Sequence, residues 1–466
     1  MRNTIELTDT AACVESILVH AGAHVVLAAP LGLGKPNALI NAIYRRVASD
    51  ACRRLTVHTA LSLALPSASG DLQQRFLKPF VDRHFGVDHE QLDYVAALRA
   101  DRLPANVRIH EFYFQSGAML DSSSAQQDYA SLNYTHVARQ LAGQGINVVV
   151  HLVARRGERI SLSCNPDVTL DLLDDIAQAK GERPLLVGVV NADLPFLGGD
   201  ADVPLQLFDI LLCDPGHAQR LFAVPREDVD DVEHAIGLHA SSLVRDGGTL
   251  QIGIGALSDA LVHALLLRHR QNDDYVEAIA RLQERSDVLP VAGAAIGGLE
   301  PFQQGLNGSS EMIMDGFMHL REAGILVRRV HADAPLQRAL DARLIDVKMR
   351  PGDAHRLYAA DGLPARIDAV ECARLVRIGL LPVDALFADD SVVLADGRRV
   401  GSDLASAENL AALDEIMTGR SLQGGTYLQG GFHLGSNRLY DWLRSLDGEN
   451  YAGLSMQRVT RINQLA

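Results

Sequence analysis

One carboxylate, Glu311, stands where residue types and spacing could support covalent chemistry. It lies in the segment Asn307-Gly-Ser-Ser-Glu-Met-Ile-Met-Asp-Gly316, after a run of small residues and before an apolar, helix-like run formed by Met312, Ile313, Phe317 and Leu320. Such a glutamate could act as nucleophile or general base if burial and neighbouring groups tune it. The alternative is a glutamate that caps a helix, because serine followed closely by glutamate is typical of helix starts. Taken alone, these residues favour the capping role.

A first glycine-rich loop, Pro30-Leu-Gly-Leu-Gly-Lys-Pro36, lies between a predicted strand and a predicted helix. It matches a phosphate-binding P-loop only in part, because Ala29 stands at the first glycine position and Pro36 replaces the hydroxyl residue that binds magnesium. A tight turn, with Pro36 in the first turn of the helix, is the simpler interpretation. The loop could still present backbone N–H groups to an anion.

A second glycine-rich loop, Gly253-Ile-Gly-Ala-Leu-Ser258, also follows a predicted strand and precedes a predicted helix. In the dinucleotide-binding fingerprint a third glycine stands where this chain has Ser258, so the signal for a nicotinamide cofactor is weak. A loop that lets some ligand approach the backbone closely is the more general interpretation. Ser258 or Asp259 could cap the following helix.

The cysteine and histidine patterns do not predict a metal site. The five cysteines are dispersed and no two have Cys-x-x-Cys spacing, which argues against a disulfide framework or a structural zinc and favours a reducing compartment. His110-Glu111 lacks the second histidine of a zinc-protease helix. The chain has no Gly-x-Ser-x-Gly elbow, so a serine hydrolase is not indicated.

Short β-branched runs alternate with helical patterns along most of the chain. Strands are predicted at residues 23–28, 55–59, 107–109, 147–153, 185–190 and 249–252, and helices at residues 37–48, 167–179, 228–244 and 258–269. This alternation predicts an α/β fold with largely parallel sheets.

The domain organisation is predicted from a break in this pattern. An irregular stretch with several prolines ends at Pro225, after which the alternation starts again. We therefore predict an N-terminal α/β domain at residues 1–225 and a C-terminal α/β domain at residues 226–466. Mixed short elements predict an inserted region at about 361–450, and Gly424–Gly435 is predicted to be a glycine-rich loop.

Composition narrows the class of protein. The chain has 466 residues, of which 47% are hydrophobic and 22% charged, as in globular proteins and unlike disordered or fibrous ones. A formal net charge of −15 argues against general nucleic-acid binding. The longest apolar runs are far shorter than the roughly 20 residues that span a bilayer. The first ten residues do not resemble a signal peptide, and we expect a cytoplasmic protein without a membrane partner.

Two sequence blocks are similar to the acetyl-CoA hydrolase/CoA-transferase family. They are Asp246-Gly-Gly-Thr-Leu-Gln-Ile-Gly-Ile-Gly255, and Ser310-Glu-Met-Ile-Met-Asp-Gly316 with Ala323-Gly-Ile325 behind it. Residues 30–36, Asn133-Tyr-Thr-His136 and residues 190–195 precede them in the order expected of the family. The resemblance covers most of the chain and reverses the preference at Glu311.

The resemblance implies two CoA-transferase-type (NagB/RpiA-like) α/β domains with the active site between them. It also implies that Glu311 attacks an acyl-CoA thioester and that a glutamyl-CoA thioester forms before a small carboxylate or water completes the reaction. CoA is then substrate and product, with no metal and no permanently bound cofactor, and a homo-oligomer is expected. The residues expected to contact substrate or CoA are Gly253, Gly255, Gln251, Gly32, Gly34 and Asn191.

One departure from the family pattern concerns the end of the sequence. Family members continue past an Arg-Ile-Asn-Gln-Leu-like stretch into a Gly-Gly-Gln loop beside the catalytic glutamate, whereas this sequence stops at Ala466. The glycine pairs at 424–425 and 430–431 precede that point and do not match the loop. We therefore expect an incomplete second domain, completed by another chain or simply truncated. The alternatives to an enzyme are a non-catalytic CoA-binding protein or one part of a hetero-assembly, and a nucleotide-binding oxidoreductase is a third.

Overall fold

A computed structural model of the chain describes residues 3–214, 219–284 and 296–463. The chain divides into two compact units. The larger unit comprises Met1–Val327 and Leu428–Ala466, and the smaller unit comprises Arg328–Tyr427. Along the sequence, the smaller unit therefore interrupts the larger one.

The larger unit contains a nine-stranded, mostly parallel sheet. Its strands are Ile5–Leu7 (β1), His24–Ala28 (β2), Arg54–Thr59 (β3), Val107–Glu111 (β4), Val148–Arg156 (β5), Arg159–Ser161 (β6), Leu185–Val190 (β7), Asp202–Pro204 (β8) and Ile210–Leu212 (β9). The order across the sheet is β1-β9-β7-β5-β2-β3-β4, all parallel. Antiparallel strands β6 and β8 extend from the end of β5.

Apolar runs explain why this sheet forms in the interior. Seven consecutive residues of β5, Val148–Ala154, are buried, as expected for a parallel strand covered on both faces. The strand order reverses between β5 and β2, since successive strands are added outward from each of them. Ligands of open α/β sheets bind outside the carboxyl ends of the strands at such a point. The Gly32–Gly34 turn follows the carboxyl end of β2.

The remaining strands form two further sheets. They are Thr249–Leu250 (β10), Asn307–Ile313 (β11), Leu386–Ala388 (β12), Ser391–Val393 (β13), Arg399–Gly401 (β14), Leu428–His433 (β15) and Leu454–Met456 (β16). In the larger unit, β10, β11, β15 and β16 form a parallel sheet in that order. In the smaller unit, β12, β13 and β14 form an antiparallel sheet.

Helices of the larger unit connect and cover these strands. Their bounds are Thr10–Ala21, Asn37–Ala48, Asp71–His84, Tyr94–Arg99, Ser123–Gln127, Val137–Ala142, Thr169–Gln178, Asp231–Ser242, Ala256–Arg270, Asn272–Glu284, Asp315–Glu322, Asn437–Arg444, Gly448–Ala452 and Val459–Ile462. Helix Asp231–Ser242 starts at a capping box formed by Asp230 and Glu233. Within the described residues, every helix is too short or too polar to cross a bilayer.

The smaller unit has a hydrophobic core of its own. Its helices are Ala334–Asp341, Asp353–Ala359, Ala369–Arg377 and Ala407–Met417. Leu336, Leu357, Leu375, Val392 and Leu413 are among the side chains buried in this core. The unit therefore supplies its own packing.

The predicted fold class, α/β with largely parallel sheets, is confirmed. Two local predictions are wrong. Met312 and Ile313 were predicted to begin a helix-like run, but they end strand β11, and the helix begins at Asp315. Within the predicted loop Gly424–Gly435, residues 428–433 form β15. Both errors come from short, glycine-containing segments whose strand partners are distant in the sequence. The domain boundary near Pro225 stays a prediction, and the predicted insertion overlaps the smaller unit over residues 361–427.

Candidate active site

The side chain of Glu311 projects from β11, two residues before the strand ends. Its residue is partly buried, and Asn463 Nδ2 donates a hydrogen bond to its Oε2 at 3.0 Å. Asn463 ends the short helix Val459–Ile462, which packs against β11 and β15. Among the described residues, no cation pairs with this carboxylate. The Asn463 hydrogen bond therefore orients the Glu311 carboxylate without neutralising its charge.

Glycines of β15 allow the backbone to approach β11 closely beside Glu311. A Cβ at Gly431 would lie 3.1 Å from the carbonyl oxygen of Glu311, and a Cβ at Gly430 would lie 2.4 Å from Ile313 Cγ1. A larger residue at Gly430 would therefore overlap the core side of β11. The sequence predicted no role for this glycine pair, because its pairing with β11 spans the entire smaller unit.

The second glycine-rich loop lies next to the same strand. Ser310 Oγ donates to the carbonyl oxygen of Ile252 at 3.0 Å, so the loop is fixed one residue away from Glu311. Gln251, Gly253 and Gly255 are exposed, and a Cβ at either glycine would meet no atom within 4 Å. Gly255 has a φ of +109° and is the N-cap of helix Ala256–Arg270, without a side-chain cap. The loop therefore presents open backbone at a helix N-terminus, where anions bind well.

The two glycines of the first glycine-rich loop have different surroundings. The amide of Gly34 donates to Asn165 Oδ1 at 2.9 Å, and a Cβ at Gly34 would lie 2.6 Å from that oxygen. This amide therefore already has a partner within the protein. Gly32 has a φ of +63° and open space around it. Lys35 is buried, its Nζ donates to the carbonyl oxygen of Ala60 at 2.7 Å, and burial lowers its pKa to about 8.

A short chain of hydrogen bonds links this loop to the surroundings of Glu311. Asn165 Nδ2 donates to Asp167 Oδ2 at 3.2 Å, and the Tyr134 hydroxyl donates to the same oxygen. The pKa of Tyr134 is raised by burial and then by the charges of Asp167 and Glu311. Burial raises the pKa of Asp167 to about 6. The sequence placed Tyr134 in a family motif but did not single out Asp167.

The side chain of Asn191 forms its hydrogen bonds with other groups of the protein. It is 2% exposed, its Nδ2 donates to the Gln219 carbonyl at 2.6 Å, and its Oδ1 accepts from the amide of Asp193 at 3.1 Å. Gln219 in turn donates from Nε2 to the Lys35 carbonyl at 3.1 Å. Asn191 thus supports the first loop through Gln219, and its predicted contact with a ligand stays a prediction.

A second acidic residue, Asp315, lies four positions after Glu311 and binds the N-cap residue of helix Asn437–Arg444. Its Oδ2 accepts from the amide of Ser436 at 3.0 Å and lies 3.2 Å from an Arg226 guanidinium nitrogen. Arg226 also pairs with Asp259 at 3.3 Å. These groups line a cavity of about 250 Å³ that also reaches Ile254 and Gly255 of the second loop. The cavity provides space beside the loop for part of a ligand.

Contacts within the larger unit fix the second sheet against the first. The amide of Val459 donates to the Asp167 carbonyl at 2.9 Å, and the Tyr440 hydroxyl donates to the Phe222 carbonyl at 2.8 Å. His433, at the end of β15, lies 3.4 Å from Ser163 Oγ, and burial lowers the pKa of this histidine to about 3. The arrangement around Glu311 is therefore a packed one.

Most of the predicted site residues lie around Glu311, whereas Asn191 is connected to this region only through other residues. The Gly253–Gly255 loop lies next to Glu311. Hydrogen bonds of Tyr134 and Asp167 connect the first loop to the same region, and Asn191 supports that region indirectly. In the part of the chain that the structure describes, no group of three His, Cys, Asp or Glu side chains is arranged to hold a metal ion. Glu311 is thus a partly buried carboxylate that accepts from Asn463, and the second loop is attached to the residue before it.

Comparison with known proteins finds similarity to a coenzyme A transferase. Over 218 residues the chain is 26% identical to the 4-hydroxybutyrate coenzyme A transferase of Clostridium kluyveri. The alignment covers 47% of this chain and 41% of that relative, so it spans less than half of either protein. No protein-family model matches the chain. The similarity to the clostridial protein confirms the resemblance to CoA-transferases that the sequence blocks indicated.

Solved structures extend the comparison to the fold. The crystal structure of RipA from Yersinia pestis matches 98% of this chain and 69% of its own length, with a TM-score of 0.52 at 15% sequence identity. At this identity the match concerns the fold alone. The larger unit's two sheets therefore belong to an architecture that RipA shares.

Proposed function

We propose, from this resemblance to CoA-transferases, that the chain processes acyl-CoA thioesters with Glu311 as the nucleophile. The observation that carries the proposal is the setting of Glu311: a carboxylate on β11, held by Asn463, unpaired with any cation among the described residues, and next to an exposed glycine loop. Such a carboxylate reacts well when it is oriented and partly removed from water.

The proposed reaction proceeds by two exchanges at Glu311. A carboxylate oxygen of Glu311 attacks the thioester carbonyl, the C–S bond breaks, and an acyl-glutamyl anhydride and CoA thiolate form. The thiolate then attacks the Glu311 carbonyl, the anhydride C–O bond breaks, and the acyl group leaves as a carboxylate. The enzyme now carries a glutamyl-CoA thioester. An acceptor carboxylate reverses both steps in a transferase, whereas water releases CoA in a hydrolase.

Each attack generates a negatively charged oxygen that needs hydrogen-bond donors. The Gly253–Gly255 loop supports this role because its backbone is exposed, free of neighbouring side chains at both glycines, and fixed beside Glu311 by Ser310. The first loop is a weaker source, since the Gly34 amide already donates to Asn165. We assign the donor role to the second loop.

The acyl group is open within this proposal. The family resemblance suggests acetyl-CoA, and the name of the clostridial relative suggests 4-hydroxybutyryl-CoA. Both compounds are therefore used in the test. Water and small carboxylates are the two classes of acceptor to compare.

Intact-mass measurement after incubation with each acyl-CoA tests the nucleophile. We expect an adduct equal to CoA less one water in the wild type and no adduct in Glu311→Ala or Glu311→Gln. Glu182→Gln, which changes an exposed glutamate, is the matched control and should form the adduct like the wild type. A folded wild type that forms no adduct with either compound, or an adduct that persists in Glu311→Ala, would overturn the assignment.

A further inference from the structure

The smaller unit contains a charged cavity beside the C-terminus of helix Ala334–Asp341. The cavity has a volume of about 500 Å³, which lies within the usual range of small-molecule sites. The charged side chains that line it are Arg343, Arg350, Arg356, Asp346 and Asp353, and the rest of the lining is aliphatic. The lining therefore combines an excess of positive charge with apolar surface.

Arg343 is the arginine of this cavity that lacks an acidic partner within the described part of the chain. The residue is exposed, and the hydrogen bond that it forms there is made by its backbone amide, which donates to the Leu340 carbonyl at 2.9 Å. Its φ of +56° follows the helix C-cap Ala342, at a position where glycine is usual. Glycine would avoid the steric cost of this left-handed conformation, so the turn does not by itself account for an arginine here.

The other two arginines of the cavity are paired, but each keeps N–H groups for a ligand. Arg350 Nη2 donates to Asp346 Oδ2 at 2.7 Å, and both side chains are more than half exposed, so this pair contributes little and is easily exchanged. Arg356 Nη1 pairs with Asp353, a buried carboxylate that also accepts from the amide of Arg350 at 2.7 Å. Within the described residues, the remaining N–H groups of both guanidiniums form no hydrogen bond.

The turn that carries these two arginines is held by the carboxylate of Asp414. Its Oδ2 accepts from the amide of Gly352 at 2.7 Å, and its Oδ1 accepts from the amide of Ala354 at 2.9 Å. A Cβ at Gly352 would lie 3.7 Å from Arg356 Nη2, so this guanidinium packs against the turn. The fold therefore positions Arg350 and Arg356 without a ligand, which reduces the cost of binding one.

The acidic groups do not make this cavity a cation site. Arginines engage Asp346 and Asp353, and backbone amides engage Asp414. Across the described ranges, no three His, Cys, Asp or Glu side chains are grouped to hold a metal ion. Guanidinium groups bind phosphate through paired N–H donors, and three guanidiniums can address the several oxygens of one phosphate group. The aliphatic lining suits an organic part of the same molecule.

We propose that this cavity binds a phosphate-bearing organic molecule of nucleotide size, with Arg343 as its main contact to the phosphate. The inference uses residues of the smaller unit only, and it does not depend on the proposed role of Glu311. The structural alternative is that Arg343 acts as a cation at the C-terminus of a helix. In that role it would affect stability without affecting the binding of a phosphate compound.

Isothermal titration calorimetry of the full chain tests the site with ADP and pyrophosphate, and with adenosine and citrate for comparison. ADP and pyrophosphate should bind, adenosine should not, and citrate should bind more weakly than ADP. Arg343→Gln should weaken ADP binding by about tenfold or more, since it removes charge-assisted hydrogen bonds. Arg338→Gln, which changes an exposed arginine of the adjacent helix, is the matched control and should bind ADP like the wild type.

Arg343→Gly separates loss of the ligand contact from loss of structure. Glycine adopts the φ of +56° without steric cost, so this variant should keep the melting temperature of the wild type while ADP binding weakens as in Arg343→Gln. That combination supports the site. ADP affinity that is unchanged in both Arg343 variants overturns it, as does a wild type that binds neither ADP nor pyrophosphate. Tighter binding of citrate than of ADP overturns the assignment to a phosphate compound.

Discussion

The two parallel sheets of the larger unit differ in what their strands are made of. In the nine-stranded sheet, residues 148–154 of β5 are buried and apolar except for His151, and β7 consists of apolar residues and Gly188. In the four-stranded sheet, β11 reads NGSSEMI and β15 reads LQGGFH, with glycines at the points of closest approach. The first sheet is stabilised mainly by the packing of apolar side chains, whereas glycines in the second sheet allow close contacts beside Glu311, the proposed nucleophile.

We infer that the two sheets contribute differently, the first mainly to the stability of the unit and the second to its candidate site. Burial of branched side chains supplies the stabilisation of the first sheet. Small residues bury little apolar surface, so the second sheet depends on the segments that flank it, such as the helices whose residues Val459 and Tyr440 bond to Asp167 and Phe222. Functional sites commonly sit on such locally weaker segments. The following variants test this division.

The largest expected change in stability comes from the nine-stranded sheet. Leu186→Ala removes a fully buried side chain of β7 and leaves a cavity. We expect the free energy of unfolding to fall by about 2–5 kcal/mol, while turnover per folded molecule stays near the wild-type value. Denaturant unfolding and steady-state kinetics measure the two quantities. A large loss of turnover in the folded variant would show that the two sheets do not divide the roles.

Asp167→Asn should raise the free energy of unfolding at neutral and alkaline pH. Because the folded chain holds the Asp167 proton up to about pH 6, ionisation reduces stability as pH rises above the unfolded value of about 4. The substitution removes that cost and should raise the free energy of unfolding at pH 8 by about 1–3 kcal/mol. The gain should shrink towards pH 4, where the wild-type carboxyl group is protonated in the fold. Destabilisation at pH 8 would mean that hydrogen bonds to the carboxylate outweigh its burial.

The smallest structural change is expected at the second glycine-rich loop. Gly253 has no positive φ and no atom within 4 Å of a Cβ, so Gly253→Ala should alter the free energy of unfolding by less than about 0.5 kcal/mol. If a ligand approaches this backbone, turnover should nevertheless fall by about tenfold or more. Gly143→Ala, where the nearest atom is 3.8 Å away, is the control. Equal turnover in both variants would remove Gly253 from the site.

Much of the first sheet could be predicted from the sequence. Helix Asn37–Ala48 and strand Leu185–Val190 have the predicted bounds, because apolar residues recur there with the period of each element. The second sheet could not be predicted in the same way. Glu311 was placed before a helix because Met312 and Ile313 continue an apolar run, and β15 was taken for a loop because of its glycines.

The residues of the candidate site could also be predicted only in part from the sequence. Glu311 and the two glycine loops were selected from the sequence, and the loop at Gly253 lies beside Glu311. Asn463 lies in the Arg-Ile-Asn-Gln-Leu stretch, which was used only to compare the end of the sequence with the family, and Asp167 is an isolated aspartate without a local pattern. Only their hydrogen bonds, to Glu311 and to Tyr134, mark them as part of the site.

The sequence by itself indicated the α/β class, five strands of the nine-stranded sheet and, through the family resemblance, a candidate nucleophile with its glycine loop. Those features follow from periodic burial and from short blocks of contiguous residues. The tertiary structure alone decided which backbone lies beside Glu311, which donor holds its carboxylate, and that the Gly34 amide already has a partner. These features depend on residues more than a hundred positions apart, which come together only in the folded chain.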